Sequence, residues 1–185
     1  MPGLLIRTLL SLAARPASPG RKLVSLAFGA ALFLCVIPLL FLYLGRVLHL
    51  DQPPAGYPRI LYQVPGWIVL VTGIFLLVAS VLTQWRAGGG TPAPVAPTVR
   101  LITSGPYSLC RNPIQLGAML YYLGLLTLIS SPVLGTIAFI AGAVFGSLYH
   151  RLVEEKELEL RFGPAYLEYK ARTPFVIPRF FKRHG

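Results

Sequence analysis

The side chains able to do chemistry gather in two stretches of this 185-residue chain. Five of its six acidic residues, Glu154, Glu155, Glu157, Glu159 and Glu168, are interleaved with Arg151, Lys156 and Arg161 and preceded by His150. On a helix, a spacing of four sets His150 above Glu154 and Arg151 above Glu155, while Leu152, Glu155 and Glu159 share another face. Such a pattern serves either a solvated amphipathic helix laced with ion pairs or a functional polar site. The other stretch, 101–117, contains Gly105-Pro106-Tyr107 and Arg111-Asn112-Pro113. Gly-Pro signals a turn, Pro113 suits a first helical turn, and helix-start amides beside Arg111 make a candidate anion site. Two cysteines exclude a disulfide scaffold and a cysteine-rich zinc module. Cys110, beside Arg111, stands where a thiol pKa can fall, but a filler role is the expectation for it.

What must position these residues is a set of membrane-crossing helices. The chain is 55% hydrophobic and 12% charged, whereas soluble domains carry about a quarter charged residues. Uncharged runs cover 23–45 and 60–85, each long enough for the roughly 20 apolar residues that cross a bilayer core as helix. Pro38 and Pro65 lie inside them, which membrane helices tolerate, and Trp67 and Trp85 lie near ends where aromatic rings favour the interface. A third run, 112–149, has no charge and no histidine. As one helix it would be about 57 Å long, nearly twice the roughly 30 Å hydrocarbon thickness. The chain must turn, and Ser130-Ser131-Pro132 is the place, giving spans near 113–130 and 132–150. Gly117, Gly124, Gly135, Gly142 and Gly146 allow close helix approach in that hairpin.

The expected fold is therefore all-α, a polytopic bundle of about four spans with a C-terminal helix beyond the membrane. The chain divides into an interfacial arm (1–22, amphipathic from Leu4 to Leu12), two spans (23–85), a loop (86–112), and a hairpin with a polar tail (113–185). The run from Ala87 to Pro97 is expected to be a flexible glycine- and proline-rich loop that stands apart from the chemistry. Lys and Arg crowd the arm, segment 86–111 and the tail, which places both termini and the polar stretches in the cytoplasm. The net charge of +11 needs no nucleic acid, because basic residues beside an anionic leaflet account for it.

In order, Gly105-Pro106-Tyr107, Arg111-Asn112-Pro113, the hairpin, Glu154-Glu155, Phe162-Gly163-x-x-Tyr166-x-x-Tyr169 and Pro174-x-x-x-Pro178 resemble the membrane-embedded methyltransferase superfamily. It includes isoprenylcysteine carboxyl methyltransferases and phospholipid N-methyltransferases, and the resemblance covers roughly 99–178. It implies S-adenosylmethionine as cofactor and a lipid-like acceptor. It also implies a cofactor cavity lined by Val99, Arg100, Leu101, Ile102 and Tyr107. Asn112, Pro113, Ile114 and Gln115 match a motif that reads His-Pro-x-Tyr or Asn-Pro-x-Tyr, with Gln115 replacing the aromatic residue. Glu154 matches the cofactor-binding glutamate, and the substrate-facing arginine expected four residues earlier falls on His150, with Arg151 beside it.

Methyl transfer from a sulfonium is an in-line displacement that asks mainly for alignment and exclusion of water. Glu154 and Glu155 are suited to the donor's ammonium or ribose hydroxyls, and Arg111 or Arg172 to its carboxylate. A carboxylate acceptor would be oriented by Arg111, Arg151 or His150. An amine acceptor would need a base, Glu155 or His150. Competing readings are an NADPH-dependent membrane lipid or sterol reductase, which can carry a similar Arg-His-Pro-x-Tyr stretch, and a non-enzymatic membrane protein.

Overall fold

The computed structural model describes residues 18–53, 55–56, 58–92 and 96–178, and every long regular element among them is a helix. α1 (Pro19–Ala30) passes through a π turn (Ala31–Val36) into α2 (Ile37–Val47). α3 (Ile60–Thr83) ends in a π turn (Gln84–Gly88), and α4 (Pro106–Leu109) is a single turn. The expected hairpin is α5 (Pro113–Ile129) and α6 (Pro132–Tyr149), turning at Ser130-Ser131. A third π turn (His150–Glu154) joins α6 to α7 (Glu155–Phe162), and α8 (Pro164–Arg172) follows. The continuous helices Pro19–Val47, Ile60–Gly88 and Pro132–Phe162 are long and apolar enough to cross a membrane, and α5 is a shorter apolar helix of 17 residues. The protein is an all-α polytopic membrane protein. The first long helix starts at Pro19, and the amphipathic stretch read from Leu4 to Leu12 lies outside the described residues.

By contacts the chain forms two compact units. One comprises 30–77 and 115–147 and holds an apolar core of Tyr122, Leu126, Leu134 and Ala138. Its helices meet through glycine. A Cβ on Gly73 would come within 2.5 Å of the Tyr121 backbone nitrogen, and one on Gly124 within 2.6 Å of the Leu70 nitrogen. Gly117 and Gly124 thus press α5 against α3, whereas Gly135 and Gly142 face α5 across the hairpin. Spacing alone assigned all of them to the hairpin. Pro38 explains another contact. Having no N–H, it cannot bond the Leu34 carbonyl one turn back, and the Tyr121 hydroxyl donates to that carbonyl at 2.9 Å while Tyr122 donates to Phe33 at 2.9 Å. A proline at membrane depth is thereby made affordable, its freed backbone acceptor satisfied by a neighbouring helix.

The other unit comprises the described residues of 1–29, 78–114 and 148–185. Here the glycine-rich connection differs from the flexible loop expected. Its described residues fold back, with the Val99 N–H donating to Gly88 at 2.8 Å and the Thr91 N–H to Ala96 at 2.7 Å. Gly90 permits this, because a Cβ there would stand 2.5 Å from the Pro97 carbonyl. Thr91 and Ala96 are buried, and Ser25 of α1 meets the Thr91 hydroxyl at 3.3 Å. Local composition reads as a loop; pairing of its two ends makes it a clasp.

Candidate functional site

The second unit contains a groove, part of it open to solvent. It is lined by Arg100, Leu101, Ile102 and Tyr107, by Arg111 and Asn112, and by Glu154, Glu155 and Leu158. Local sequence explains each piece. Gly105 takes φ +61°, a conformation that glycine adopts freely, so Pro106 can start α4 and bury Tyr107. Gly163 repeats the device at φ +51°, turning α8 back so that Tyr166 and Tyr169 are buried beside the groove. The Tyr169 hydroxyl donates to the Tyr107 carbonyl at 2.6 Å, tying the two Gly-Pro corners together.

The charges form a connected set. Arg111 Nη2 lies 3.0 Å from Glu155 Oε1, and Lys170 Nζ lies 2.9 Å from Glu155 Oε2 and 2.7 Å from Glu159. Glu157 pairs with Arg161 at 2.6 Å, and Arg161 also donates to the Thr98 carbonyl, linking α7 to the clasp. His150 Nδ1 faces the Glu154 carboxylate, as a spacing of four predicts. Arg151 does not face Glu155. The π turn adds a residue to this part of the helix, with the Glu155 N–H bonded to the His150 carbonyl, and Glu155 is buried where Arg151 is exposed. Such π turns recur at functional sites.

Two buried nitrogens of Arg111, Nε and Nη1, have no hydrogen-bond partner among the described residues, and the buried Tyr107 hydroxyl has only the Gln84 side chain beside it. A buried polar group left unpaired is costly, so these atoms fit a polar ligand offering both an anion and hydrogen-bonding hydroxyls. Burial, and after it the Glu154 charge, raises the Tyr107 hydroxyl well above the usual phenol range, so it remains a donor. Burial likewise pushes the Cys110 thiol up to about 11, the reverse of what its arginine neighbour suggested. Hydrogen bonds that Lys170 donates to Glu159 and then to Glu155 raise its pKa above the ordinary value.

Of the residues singled out from sequence, Arg100, Leu101, Ile102, Tyr107, Arg111, Asn112, Glu154 and Glu155 share this groove. Val99, Pro113, Ile114, Gln115, His150 and Arg151 are not among its lining residues. Val99 acts through its backbone in the clasp, and Pro113 is buried at the start of α5. Gln115 belongs to the other unit, where its amide donates to the Gly142 carbonyl and the Ser147 hydroxyl, each at 3.3 Å. Arg172 pairs with Glu168 at 3.3 Å on an exposed face, away from the groove. Sequence reasoning did not place Gln84, Thr98, Leu158, Phe162, Tyr166 and Tyr169 in the lining. Gln84 was hidden because it reads as the polar end of a span; its position one turn before a Gly-Gly-Gly run was the available signal.

The 87 residues that match the cobalt-zinc-cadmium resistance protein CzcN of Cupriavidus metallidurans are 39% identical, covering 46% of this chain and 38% of that protein. Protein-S-isoprenylcysteine O-methyltransferase of Mus musculus is 32% identical over 83 residues, 44% of this chain and 28% of its own length. The match therefore spans well under half the length of these relatives. No solved structure matches the chain. Among the described residues no three His, Cys, Asp or Glu side chains gather closely enough to hold a metal ion. The model of the phospholipid methyltransferase family matches residues 62–165, more than half of the chain and most of the groove, and the chain belongs to that family.

Proposed function

We propose that this protein transfers a methyl group from S-adenosylmethionine to a lipid-like acceptor at the cytoplasmic face of the membrane. The observation that carries the reading is the pair of buried, unpartnered Arg111 nitrogens in a groove that Tyr107, Gln84 and Glu154 also line. S-adenosylmethionine supplies an electrophilic methyl group on a sulfonium, whose C–S bond breaks as the acceptor atom forms its bond to carbon. Glu154 would hold the donor's ammonium or ribose hydroxyls, and Arg111 would present Nε and Nη1 to its carboxylate while Nη2 stays with Glu155. Leu101, Ile102 and Leu158 would exclude water from the reacting atoms.

The charge arrangement favours a carboxylate over an amine as acceptor. An amine must lose a proton, and both Glu155 oxygens already face cations, while His150 Nδ1 faces Glu154. Arg151, by contrast, is exposed and pairs with no carboxylate among the described residues, which leaves it for an anionic headgroup. The test is calorimetry on purified protein in detergent with S-adenosylmethionine and with NADPH, then incubation with membrane lipid extract and labelled donor. Donor binding with a lipid gaining the mass of a methyl group is expected. Binding of NADPH alone would replace the methyl-transfer reading with the reductase.

A further inference from the structure

The stretch 173–178 makes contacts to which the methyl-transfer reading assigns no role. The Arg111 and Asn112 amides donate to the carbonyls of Pro174 and Phe175 at 2.8 and 3.1 Å, and the Asn112 side-chain amide donates to the same Phe175 carbonyl at 3.1 Å. Three hydrogen bonds thus fix the backbone that carries one aromatic ring. The Arg151 guanidinium carbon lies 4.9 Å from the centroid of that ring and the Arg111 carbon 5.5 Å, both over its face, while His150 meets it edge-on at 6.5 Å. The negative face of an aromatic ring attracts a guanidinium. Arg151 is exposed and has no carboxylate partner among the described residues, so the ring is what restrains it.

We propose that Phe175 is a positioning residue that holds the Arg151 guanidinium beside the groove, ready for the anionic headgroup of the acceptor. The proposal rests on the reading above, in which Arg151 meets the acceptor. An aliphatic side chain at 175 would fill the same space without attracting the cation. Asn112 then serves the acceptor indirectly, by clamping the strap that carries the ring. Holding a long cationic side chain in place lowers the ordering cost of binding, so the effect belongs to acceptor KM.

The experiment uses the full chain in nanodiscs. Donor affinity is measured by calorimetry and methyl transfer with N-acetyl-S-farnesylcysteine and with dioleoylphosphatidylethanolamine as acceptor probes. Phe175→Leu should raise acceptor KM about two- to fivefold, the scale of an exposed cation–π contact, with a smaller change in donor affinity, because Arg111, also over the ring, stays held by Glu155 at 3.0 Å. Phe175→Trp should restore KM, and in an Arg151→Ala background Phe175→Leu should add less than a twofold change. Pentafluorophenylalanine at 175 keeps the shape but inverts the charge of the ring face, so it should reproduce the Leu result even if the Leu variant misfolds. Equal losses with and without Arg151, or failure of Trp to rescue, would overturn the positioning role alone. A wild type that binds donor but methylates neither probe would overturn the acceptor assignment and Phe175's role with it. A wild type that binds no donor would overturn the methyl-transfer reading itself.

Discussion

Glu154 and Glu155 are neighbours in sequence with different tasks. Glu154 faces the groove, with its side chain 36% exposed, whereas Glu155 is 11% exposed and gripped by Arg111 and Lys170. Glu154→Gln removes the charge from a charge-assisted contact worth about 1.5–3 kcal/mol, so donor affinity by calorimetry should fall about 10- to 100-fold with the melting temperature little changed. Glu155→Gln should do the opposite first. Removing one partner of a buried pair costs about 3–5 kcal/mol, and thermal denaturation in detergent should show a clear loss of stability. Lys170 supplies a pH signature. Its folded pKa is raised above the ordinary 10.5, so its contribution is full below that value and is lost as pH rises through the folded pKa. The melting-temperature gap between wild type and Lys170→Met should stay constant from about pH 6 to 9 and close above about pH 10.5. A gap that changed near neutrality would assign the coupling to another group.

At the scale of elements, glycine and proline decide where the polar segments go. Gly163 has φ +51°, and nothing lies within 4 Å of where its Cβ would be. Gly163→Ala therefore probes backbone conformation without a clash and should cost about 1–3 kcal/mol, read as a lower melting temperature. If the Ala variant melts like wild type, the corner does not require glycine. The Gly-Pro pair at 105 was legible as a turn, because that dipeptide restricts backbone geometry whatever surrounds it. The clasp at 88–99 was not legible. Its residues have no periodicity, and it is set by the bonds between Gly88 and Val99 and between Thr91 and Ala96, which join positions eleven and five residues apart. The pairing of α5 with α3 through Gly73 and Gly124 was hidden for a similar reason, since a small residue in one helix does not name the helix it faces.

For the whole molecule, the distribution of Lys and Arg sets the expected orientation, with both termini and the groove on the cytoplasmic side. Reporter fusions at residues 1 and 185 should both report cytoplasm, and one at the loop near Asp51 should report the opposite side. A split result for the termini would remove one span from the reading. The amino-acid sequence by itself determined the membrane class, the helical content, the turn at Ser130-Ser131-Pro132 and the two polar stretches. These follow from runs of apolar residues and from local backbone restrictions, both properties of neighbouring residues. Only the tertiary structure decided that Glu155 turns to Arg111 and Lys170 rather than Arg151, and that Gln84 and Thr98 join the lining. It alone decided that Phe175 lies against two arginines. Those choices depend on which distant segments desolvate one another, and a π turn of a single extra residue is enough to redirect them.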